Sequence, residues 1–406
     1  MTESQIPKMS SPQSQSAIAQ TLTANNLGIS PSLPEFLVPS PILSSSTASI
    51  NKASGLSLVD LVKEAFNHGY SDVHLGVGEI PRFRNQGEMQ TTNYPETDKA
   101  TFMSWLREIL TDTEIQRFQE RLEFDCATQY EFIRVRINLF DSLRGYGMVL
   151  RLIPLEILSI KQLRLPPIIQ DICNYQKGLI LITGPTGSGK STTMAAMVDY
   201  INRTMPKHII TIEDPVEFVH QSHKSLVRQR EVGMHTLEFD KALKAALRAD
   251  PDVILLGEMR DKETLNTALK ASQTGHLVMG TLHTISAVKS IERILSLYSG
   301  QEQEAMRVVL AESLVAVISQ GLCRTTDGKR CAFHDILINT EAVKDWVKTG
   351  NYDEIEALMK QSRFDGMTTM NQSLFTLYQE GRITQETALE MSPTPNEMAQ
   401  FLRGRL

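Results

Sequence analysis

The chain has 406 residues, of which 41% are hydrophobic and 22% charged, so it is long enough and apolar enough to form roughly two to three domains. Its formal net charge of −6 argues against a nucleic-acid-binding protein with a wholly basic surface, although it does not exclude a local basic patch. We expect neither a transmembrane segment nor a secretory signal, because no uncharged apolar run approaches the ~18–20 residues that cross a bilayer. The absence of any CxxC pair favours reduced thiols over a disulfide framework or a zinc site for the four cysteines, Cys126, Cys173, Cys323 and Cys331.

Residues 1–54 differ in composition from the rest of the chain. The first fifty positions hold twelve serines and six prolines, and only Glu3, Lys8 and Glu35 are charged there. Such a stretch cannot bury enough apolar surface to offset its ordering entropy. We therefore predict a disordered Ser/Pro-rich tail.

Residues 55–155 show the pattern of a small α+β domain. A helix is predicted from the spacing of apolar residues up to Gly69, and residues 101–121 are predicted to be helical. Short strand-like runs surround them and are joined by turn residues, which indicates an antiparallel sheet. The prolines that follow predict a linker at residues 156–175.

Residues 176–301 alternate short apolar runs with longer helical segments. Strands that are apolar on both faces and alternate with helices indicate a parallel sheet covered on both sides. Residues 302–406 are predicted to be mostly helical, including the run AMRVVLAESLVAVISQGL.

A phosphate-binding loop is the strongest motif in the chain. GPTGSGKS satisfies G-x-x-x-x-G-K-[ST] between an apolar strand and an amphipathic helix, a context that disfavours a chance match. Its glycines allow backbone N–H groups to surround phosphate oxygens, while Lys190 can reach the β- and γ-phosphates and Ser191 can ligate Mg²⁺. A kinase, a GTPase and a motor protein all use this loop, so it does not fix the reaction. The candidate nucleotide-binding residues are Gly184, Pro185, Thr186, Gly187, Ser188, Gly189, Lys190, Ser191 and Thr192.

Acidic residues follow two of the other predicted strands. Glu213 and Asp214 could orient or deprotonate a water at a strand end, and the alternative is a turn or helix-capping acid. Gly257 stands where many P-loop ATPases have Asp, so a magnesium contact from this strand would run through Glu258, directly or by water. The alternative for Glu258 is a surface ion pair with Arg260.

Two histidines flank a third apolar run. His276 and His283 are seven residues apart and do not share a strand face, so they do not predict a metal pair. One of them could contact the γ-phosphate, and the alternative for each is a hydrogen-bonded core or loop histidine.

Four arginines precede the phosphate loop, in the first predicted domain. Phosphoryl transfer commonly needs an arginine to stabilise developing charge, and such a residue would come here from a domain that moves or from another subunit. The alternative is a solvated strand face. The four are Arg134, Arg136, Arg144 and Arg151.

Five ordered motifs give the chain a family resemblance. GPTGSGKSTT, IITIEDPVEFVH, QREVG, LRADPDVILLGEMRD and TGHLVMGTLHT resemble the Walker A, Asp box, QREVG, Walker B and His box motifs of the secretion and type IV pilus ATPases. The similarity runs from about residue 56 to the C-terminus and includes the family's Gly-Glu ending of Walker B. It implies an α/β protein with an N-terminal PAS-like α+β domain, a RecA-like P-loop ATPase domain and, from the pattern above, a helical C-terminal region.

The resemblance also implies site roles. Glu213 would be the general base, and Glu258 would support Mg²⁺ and water or share the base role, with Ser191 as the other metal ligand. The remaining implied contacts to the phosphates come from His276, His283, Arg134, Arg136 and Arg151, with Arg144 a weaker candidate.

The implied assembly is a cytoplasmic homohexameric ring, peripheral at the inner face of the cytoplasmic membrane, that uses ATP and Mg²⁺. Its partners would be an inner-membrane platform protein at the pilus base and, in some systems, a paralogous ATPase, with no direct nucleic-acid contact. The lack of two CxxC pairs and of a longer N-terminal region favours the retraction-type branch.

One segment departs from that branch. Retraction-type members carry AIRNLIRE, whereas residues 342–349 read AVKDWVKT, which keeps the amphipathic pattern but changes individual residues. An accessory paralogue, a motor of a related secretion or DNA-uptake machine, and a nucleotide-binding regulator with little turnover therefore stay open. A small-molecule kinase is disfavoured, since no lid or acceptor site is evident.

Overall fold

A computed structural model describes residues 56–85, 87–361 and 365–404 of the chain. The predicted disordered tail, residues 1–54, lies outside these ranges. The described residues form one compact unit. Within the described ranges, every helix is too short or too polar to cross a lipid bilayer.

The first half of this unit is built on a six-stranded antiparallel sheet with strand order β3-β2-β1-β6-β5-β4. This confirms the α+β pattern and the antiparallel sheet, while the PAS-like assignment stays a prediction. The elements are α1 (Leu58–Asn67), β1 (Asp72–Gly76), β2 (Arg82–Asn85), β3 (Glu88–Thr91), α2 (Lys99–Ile109), α3 (Asp112–Arg121), β4 (Glu123–Gln129), β5 (Arg134–Ser142) and β6 (Gly145–Ile153).

Strand β5 shows why this sheet has one apolar and one polar face. Val135, Ile137 and Leu139 are fully buried, and they alternate with Arg134 and Arg136, which are only partly buried. Successive side chains of a strand point to opposite faces, so the two arginines lie on the face away from this core.

The helical stretch between β3 and β4 is two helices rather than one. Thr111 caps α3 in a capping box with Glu114, which satisfies the first backbone N–H groups of a new helix. The chain therefore turns between α2 and α3, and the prediction of a continuous helical run is wrong at this point.

The second half is built on a seven-stranded sheet with strand order β13-β12-β7-β11-β10-β8-β9. All neighbours are parallel except β12 and β13, which are antiparallel. Its elements are α4 (Ile168–Cys173), β7 (Gly178–Thr183), α5 (Lys190–Thr204), β8 (His208–Glu213), β9 (Leu226–Glu231), α6 (Phe239–Ala246), β10 (Val253–Leu256), α7 (Lys262–Gln273), β11 (Leu277–Leu282), α8 (Ala287–Leu295), α9 (Gly300–Ser313), β12 (Leu314–Arg324) and β13 (Arg330–Ile338).

Both faces of this sheet are covered, as predicted. Every residue of β7 is buried, with Leu179 and Leu181 in one apolar core and Ile180 and Ile182 in another on the opposite face. Helices therefore pack on both sides of the strand that leads into the phosphate loop.

The prediction of a mostly helical region from residue 302 is wrong for β12 and β13. Helix α9 ends at Ser313 and β12 begins at the next residue, inserted parallel to β7. The first eight residues of β12 are all buried. A continuously buried run shows neither the two-residue period of a half-exposed strand nor the 3.6-residue period of an amphipathic helix, so the sequence does not distinguish the two. The remaining elements are helical, as predicted: α10 (Glu341–Thr349), α11 (Tyr352–Gln361), α12 (Met370–Gln379), α13 (Gln385–Met391) and α14 (Pro395–Leu402).

Candidate active site

A cavity of about 620 Å³ opens at the carboxyl ends of the parallel strands, next to the first turn of α5. Ligands of open α/β sheets bind at this edge, because the loops after the strands meet there. Of the predicted site residues, those that line the cavity are Thr186, Gly187, Gly189, Lys190, Ser191, Thr192, Glu213, Glu258, His283 and Arg151.

The phosphate loop connects β7 to α5. Gly184, Gly187 and Gly189 have φ values of 141°, 81° and 87°, which favour glycine. A Cβ on Gly184 would also lie 2.2 Å from the backbone oxygen of Gln320 in β12. Gly189 is the N-cap of α5 and supplies no side-chain cap, so the first backbone N–H groups of the helix stay open to an anion.

Pro185 and Ser188 support the loop rather than line the cavity. Ser188 is 3% exposed, and its backbone oxygen accepts a hydrogen bond of 2.6 Å from Nε2 of Gln320. Gln320 therefore holds the loop against β12 from the side opposite the cavity.

Lys190 and Ser191 are the first two residues of α5. The Lys190 ammonium donates hydrogen bonds to the backbone oxygens of Gly184 (2.8 Å) and Pro185 (3.1 Å), and burial lowers its pKa. The ammonium is therefore held beside the loop, close to the open N–H groups of the helix.

Glu213 ends β8, and Gly257 directly follows the neighbouring parallel strand β10. A Cβ on Gly257 would lie 3.2 Å from the Glu213 Cα and 3.4 Å from the Ile212 oxygen, so a larger residue would press on the β8 backbone. This crowding gives a physical reason for glycine where many P-loop ATPases have Asp.

Burial raises the pKa of Glu213. Hydrogen bonds oppose this shift: Oε1 accepts from the Thr211 hydroxyl at 2.6 Å and from the Gln229 amide at 3.3 Å. A carboxylate with a raised pKa at a cavity wall has the properties of a general base.

Glu258 has the opposite environment. Its Oε2 lies 2.6 Å from Nη2 of Arg260 and its Oε1 lies 3.1 Å from Nε2 of His283. The hydrogen bond from Arg260 is the main cause that lowers the pKa of Glu258, so this carboxylate stays ionised. The ion pair with Arg260, which was the alternative interpretation of Glu258, is therefore present, and Glu258 also lines the cavity.

The donor set fits Mg²⁺, which prefers oxygen ligands and takes few of them from the protein at phosphate sites. The Ser191 hydroxyl and the ionised Glu258 carboxylate both line the cavity. Among the described residues, no group of three or more His, Cys, Asp or Glu side chains is placed to hold a metal ion by itself.

The structure separates the two histidines. His283 follows β11 and contacts Glu258, whereas His276 precedes β11 and places its Nδ1 3.0 Å from the Ala271 oxygen. The six residues of β11 span roughly 20 Å, so His276 lies at the other edge of the sheet and cannot reach the cavity from there. The predicted phosphate contact of His276 is not supported within this chain.

The four arginines of the first sheet also differ in whether they line the cavity. Arg136 and Arg151 are opposite each other in the β5–β6 ladder, but only Arg151 lines the cavity, while its Nε donates to Asp72 at 2.9 Å. Arg134 lies 3.9 Å from Glu231, the last residue of β9. Arg144 is in the exposed turn between β5 and β6 and does not line the cavity.

Sequence reasoning gave no role to several residues that line the cavity, among them Phe218, His220, Leu322 and Arg330. Phe218 and His220 lie within the stretch IITIEDPVEFVH but received no role there. Leu322 and Arg330 come from β12 and β13, and they were missed because this region was expected to be helical.

Comparison with known proteins gives a consistent result. A family model described as "Type II/IV secretion system protein" matches residues 51–396. The chain is 46% identical to a twitching motility protein of Neisseria gonorrhoeae over 79% of this chain and 86% of that protein. It is 41% identical to the type IV pilus retraction ATPase PilT of Pseudomonas aeruginosa, over 84% and 99%. A crystal structure of the pilus retraction motor PilT with bound ADP superposes with a TM-score of 0.80 at 42% identity, over 85% and 99%.

Proposed function

The chain belongs to the type II/IV secretion system protein family, and from this we propose that it is a motor ATPase whose hydrolysis of ATP powers retraction of a type IV pilus. The observation that carries the proposal is the similarity to a retraction ATPase over nearly the whole length of that protein. The cavity supports it, because phosphate-loop, acidic and cationic groups converge there.

Nucleotide phosphates would bind the open N–H groups of α5, with Lys190 beside them. Ser191 and Glu258 would hold Mg²⁺, which neutralises charge on phosphate oxygens. His283 and Arg260 keep Glu258 ionised and fixed in orientation, so Glu258 is better suited to this role than to taking a proton.

Glu213 is the proposed general base. Its Oε1 already accepts two side-chain hydrogen bonds, from Thr211 and Gln229, whereas Oε2 accepts a long one of 3.5 Å from the Glu217 backbone N–H. Oε2 would therefore take the proton of the attacking water. The same two bonds fix the carboxylate plane, which lowers the cost of orienting it.

We propose that the chain assembles as a hexameric ring in which Arg134 and Arg136 of one subunit serve the phosphates of its neighbour. Arg136 does not line the cavity of its own chain, and Arg134 is paired with Glu231 there. A platform protein at the pilus base, on the cytoplasmic face of the membrane, is the proposed mechanical partner. Movement of one sheet against the other would transmit the work.

An accessory retraction motor is the second candidate, because of the segment at residues 342–349. It lies in α10, where Val343 and Val347 are buried and Lys348 pairs with Glu312 at 2.5 Å. The apolar face of AIRNLIRE is therefore kept, while residues on the rest of the helix differ. An accessory motor would hydrolyse ATP yet fail to restore retraction alone in cells that lack their retraction ATPase.

Steady-state ATP hydrolysis by the purified chain tests the proposal. Lys190→Ala should abolish it, because the charge beside the phosphates is lost. Lys177→Ala is the matched control, since Lys177 is exposed at the opposite end of β7. Wild-type turnover in Lys190→Ala would contradict the assignment of the site.

A further inference from the structure

Cys323 and Cys331 form a cross-strand pair of thiols. They are directly opposite each other in the antiparallel β12–β13 ladder, and their Sγ atoms lie 3.5 Å apart. Both are free cysteines and both are buried, at 3% and 5% exposure. The sequence did not indicate this pair, because seven residues separate the two in a region expected to be helical.

The backbone around the pair suits a disulfide. Opposite residues of antiparallel strands have Cα atoms ~4.5–5.5 Å apart, within the ~4.4–6.8 Å that disulfides require. The sulfurs need to approach by roughly 1.5 Å to reach the bond length of ~2.05 Å. Side-chain rotation with a small strand adjustment can provide this, so the pair can close without unfolding of the hairpin.

Cys331 is mostly buried but borders a space large enough for a small molecule. It lines a second cavity, of about 750 Å³, that lies between the β12–β13 hairpin and residues 158–165. Arg330, Lys329 and Arg382 line the same cavity and make its wall basic, with Asp327 as the opposing charge. An anionic oxidant would be attracted to such a wall.

Only one thiol of the chain is activated. The hydrogen bond from Cys323 and the nearby Arg382 lower the pKa of Cys331. The same pairing raises the pKa of Cys323, and burial raises the pKa values of Cys126 and Cys173 to about 12. Attack by Cys331 with Cys323 as the resolving thiol is therefore the favoured order.

We propose that Cys323 and Cys331 are a redox modification site, which a low-molecular-weight anionic disulfide such as oxidised glutathione converts to an intrachain disulfide. The Cys331 thiolate attacks one sulfur of the oxidant, forms a mixed disulfide and releases one thiolate. Cys323 then loses its proton, attacks Sγ of Cys331 and releases the second thiolate. The protein loses two protons and two electrons, and the oxidant takes up both to become two thiols.

The pair is connected to the phosphate loop through β12. Gln320 accepts a hydrogen bond of 2.7 Å from the Thr193 hydroxyl and donates one to Ser188, and Leu322 lies between Gln320 and Cys323 and lines both cavities. Closing the disulfide pulls on this strand. We infer that oxidation lowers the rate of ATP turnover by ~10-fold or more, since a 1 Å displacement of site groups can cost ~10²-fold in rate. This inference rests on the proposed function.

The site itself is tested without any activity measurement. The full chain is incubated with oxidised glutathione, alkylated under denaturing conditions and digested with trypsin. Cleavage after Arg324 and Arg330 separates the two cysteines into peptides 308–324 and 331–344, so a disulfide appears as a linked pair of peptides. Linked peptides that dithiothreitol separates are expected in wild type and in the control Cys126→Ser, but not in Cys331→Ser.

Measuring ATP turnover of the same samples tests whether oxidation regulates activity. Oxidised wild type should hydrolyse ATP more slowly, recover with dithiothreitol, and differ from Cys331→Ser, which should not respond. The absence of linked peptides would overturn the site. Linked peptides with unchanged turnover would overturn only the coupling, and inactivity of the reduced wild type would instead count against the proposed function.

Discussion

Glu213 and Glu258 line one cavity from the ends of neighbouring parallel strands, and their environments shift their pKa values in opposite directions. Burial raises the pKa of the first, while Arg260 and His283 lower the pKa of the second. Two carboxylates with divergent pKa values can divide the roles of base and metal ligand. In the proposed site, the Ser191 hydroxyl joins Glu258 as a ligand of Mg²⁺, while Glu213 acts as the base.

We predict that Glu213→Gln lowers ATP turnover by at least ~10²-fold while nucleotide binding is kept, because the amide cannot take a proton. Glu258→Gln should also lower turnover, but with an increased requirement for Mg²⁺. Hydrolysis rates measured across a magnesium titration distinguish the two variants, and the exposed Glu238→Gln is the control. Normal turnover in Glu213→Gln would move the base to Glu258.

The pH dependence of turnover should carry the signature of Glu213. The base must be ionised, and burial raises its pKa, so the rate should fall on acidification at a pH above the ordinary range of a glutamate. The residual activity of Glu213→Gln should lack this acid limb. A pH–rate profile of each protein is the measurement, and an identical acid limb in the variant would contradict the assignment.

Gly257→Ala should lower turnover more than it lowers stability. The added Cβ would lie 3.2 Å from the Glu213 Cα, so the β8 end must move by a few tenths of an ångström and carry the base with it. Gly300→Ala is the matched control, because a Cβ there meets nothing within 4 Å. Equal rates for both variants would show that the position of Glu213 tolerates this displacement.

Mixing Arg136→Ala with Lys190→Ala subunits should restore part of the turnover that each variant lacks alone. In a mixed ring, some interfaces join an intact phosphate loop to an intact arginine, and a trans arginine can contribute ~10³–10⁵ in rate. Turnover is measured after subunit exchange, with mixed rings verified by mass. Inactive mixed rings would mean either that the arginine does not act on the neighbouring subunit or that a ring works only when all its sites are intact. Mixing each variant separately with wild type distinguishes these two explanations.

The free energy of unfolding should fall as the pH is lowered from about 6.5 to about 4. Burial lowers the pKa of His334 to about 4, so the unfolded chain takes up a proton in this window and the folded chain does not. The difference of ~2.5 in pKa corresponds to ~3 kcal/mol, and His220 adds to the same trend. The neighbouring Asp335, whose pKa burial raises to about 6, opposes it with a single group against two histidines. His334→Leu should flatten the decline in denaturant titrations, whereas the exposed His68→Leu should not.

The sequence was informative where the chemistry depends on local order. The phosphate loop, its strand and its helix form one continuous stretch, so the sequence alone indicates that Lys190 and Ser191 lie together, and both line the cavity. The alternation of apolar runs and helices predicted the parallel sheet, and the ordered motifs predicted the family, which the comparisons confirm. Glu213 and Glu258 were placed together because strand ends of a parallel sheet meet at one edge.

Long-range features could not be inferred in the same way. The buried run of β12 has no helical or strand period, so Gln320 behind the phosphate loop and Cys323 opposite Cys331 were missed.

Strand β7 gains its second neighbour only when β12 arrives, and Thr183 and Ser319, whose hydroxyls meet between the two strands, are 136 residues apart. A nascent chain on the ribosome that has released β7 but not β12 therefore presents a strand with four consecutive large apolar residues and an unpaired backbone edge, the kind of surface that aggregates or recruits chaperones. The nucleotide loop lies near the middle of the chain, yet the contact by which Gln320 of β12 holds it can form only after synthesis has passed residue 320.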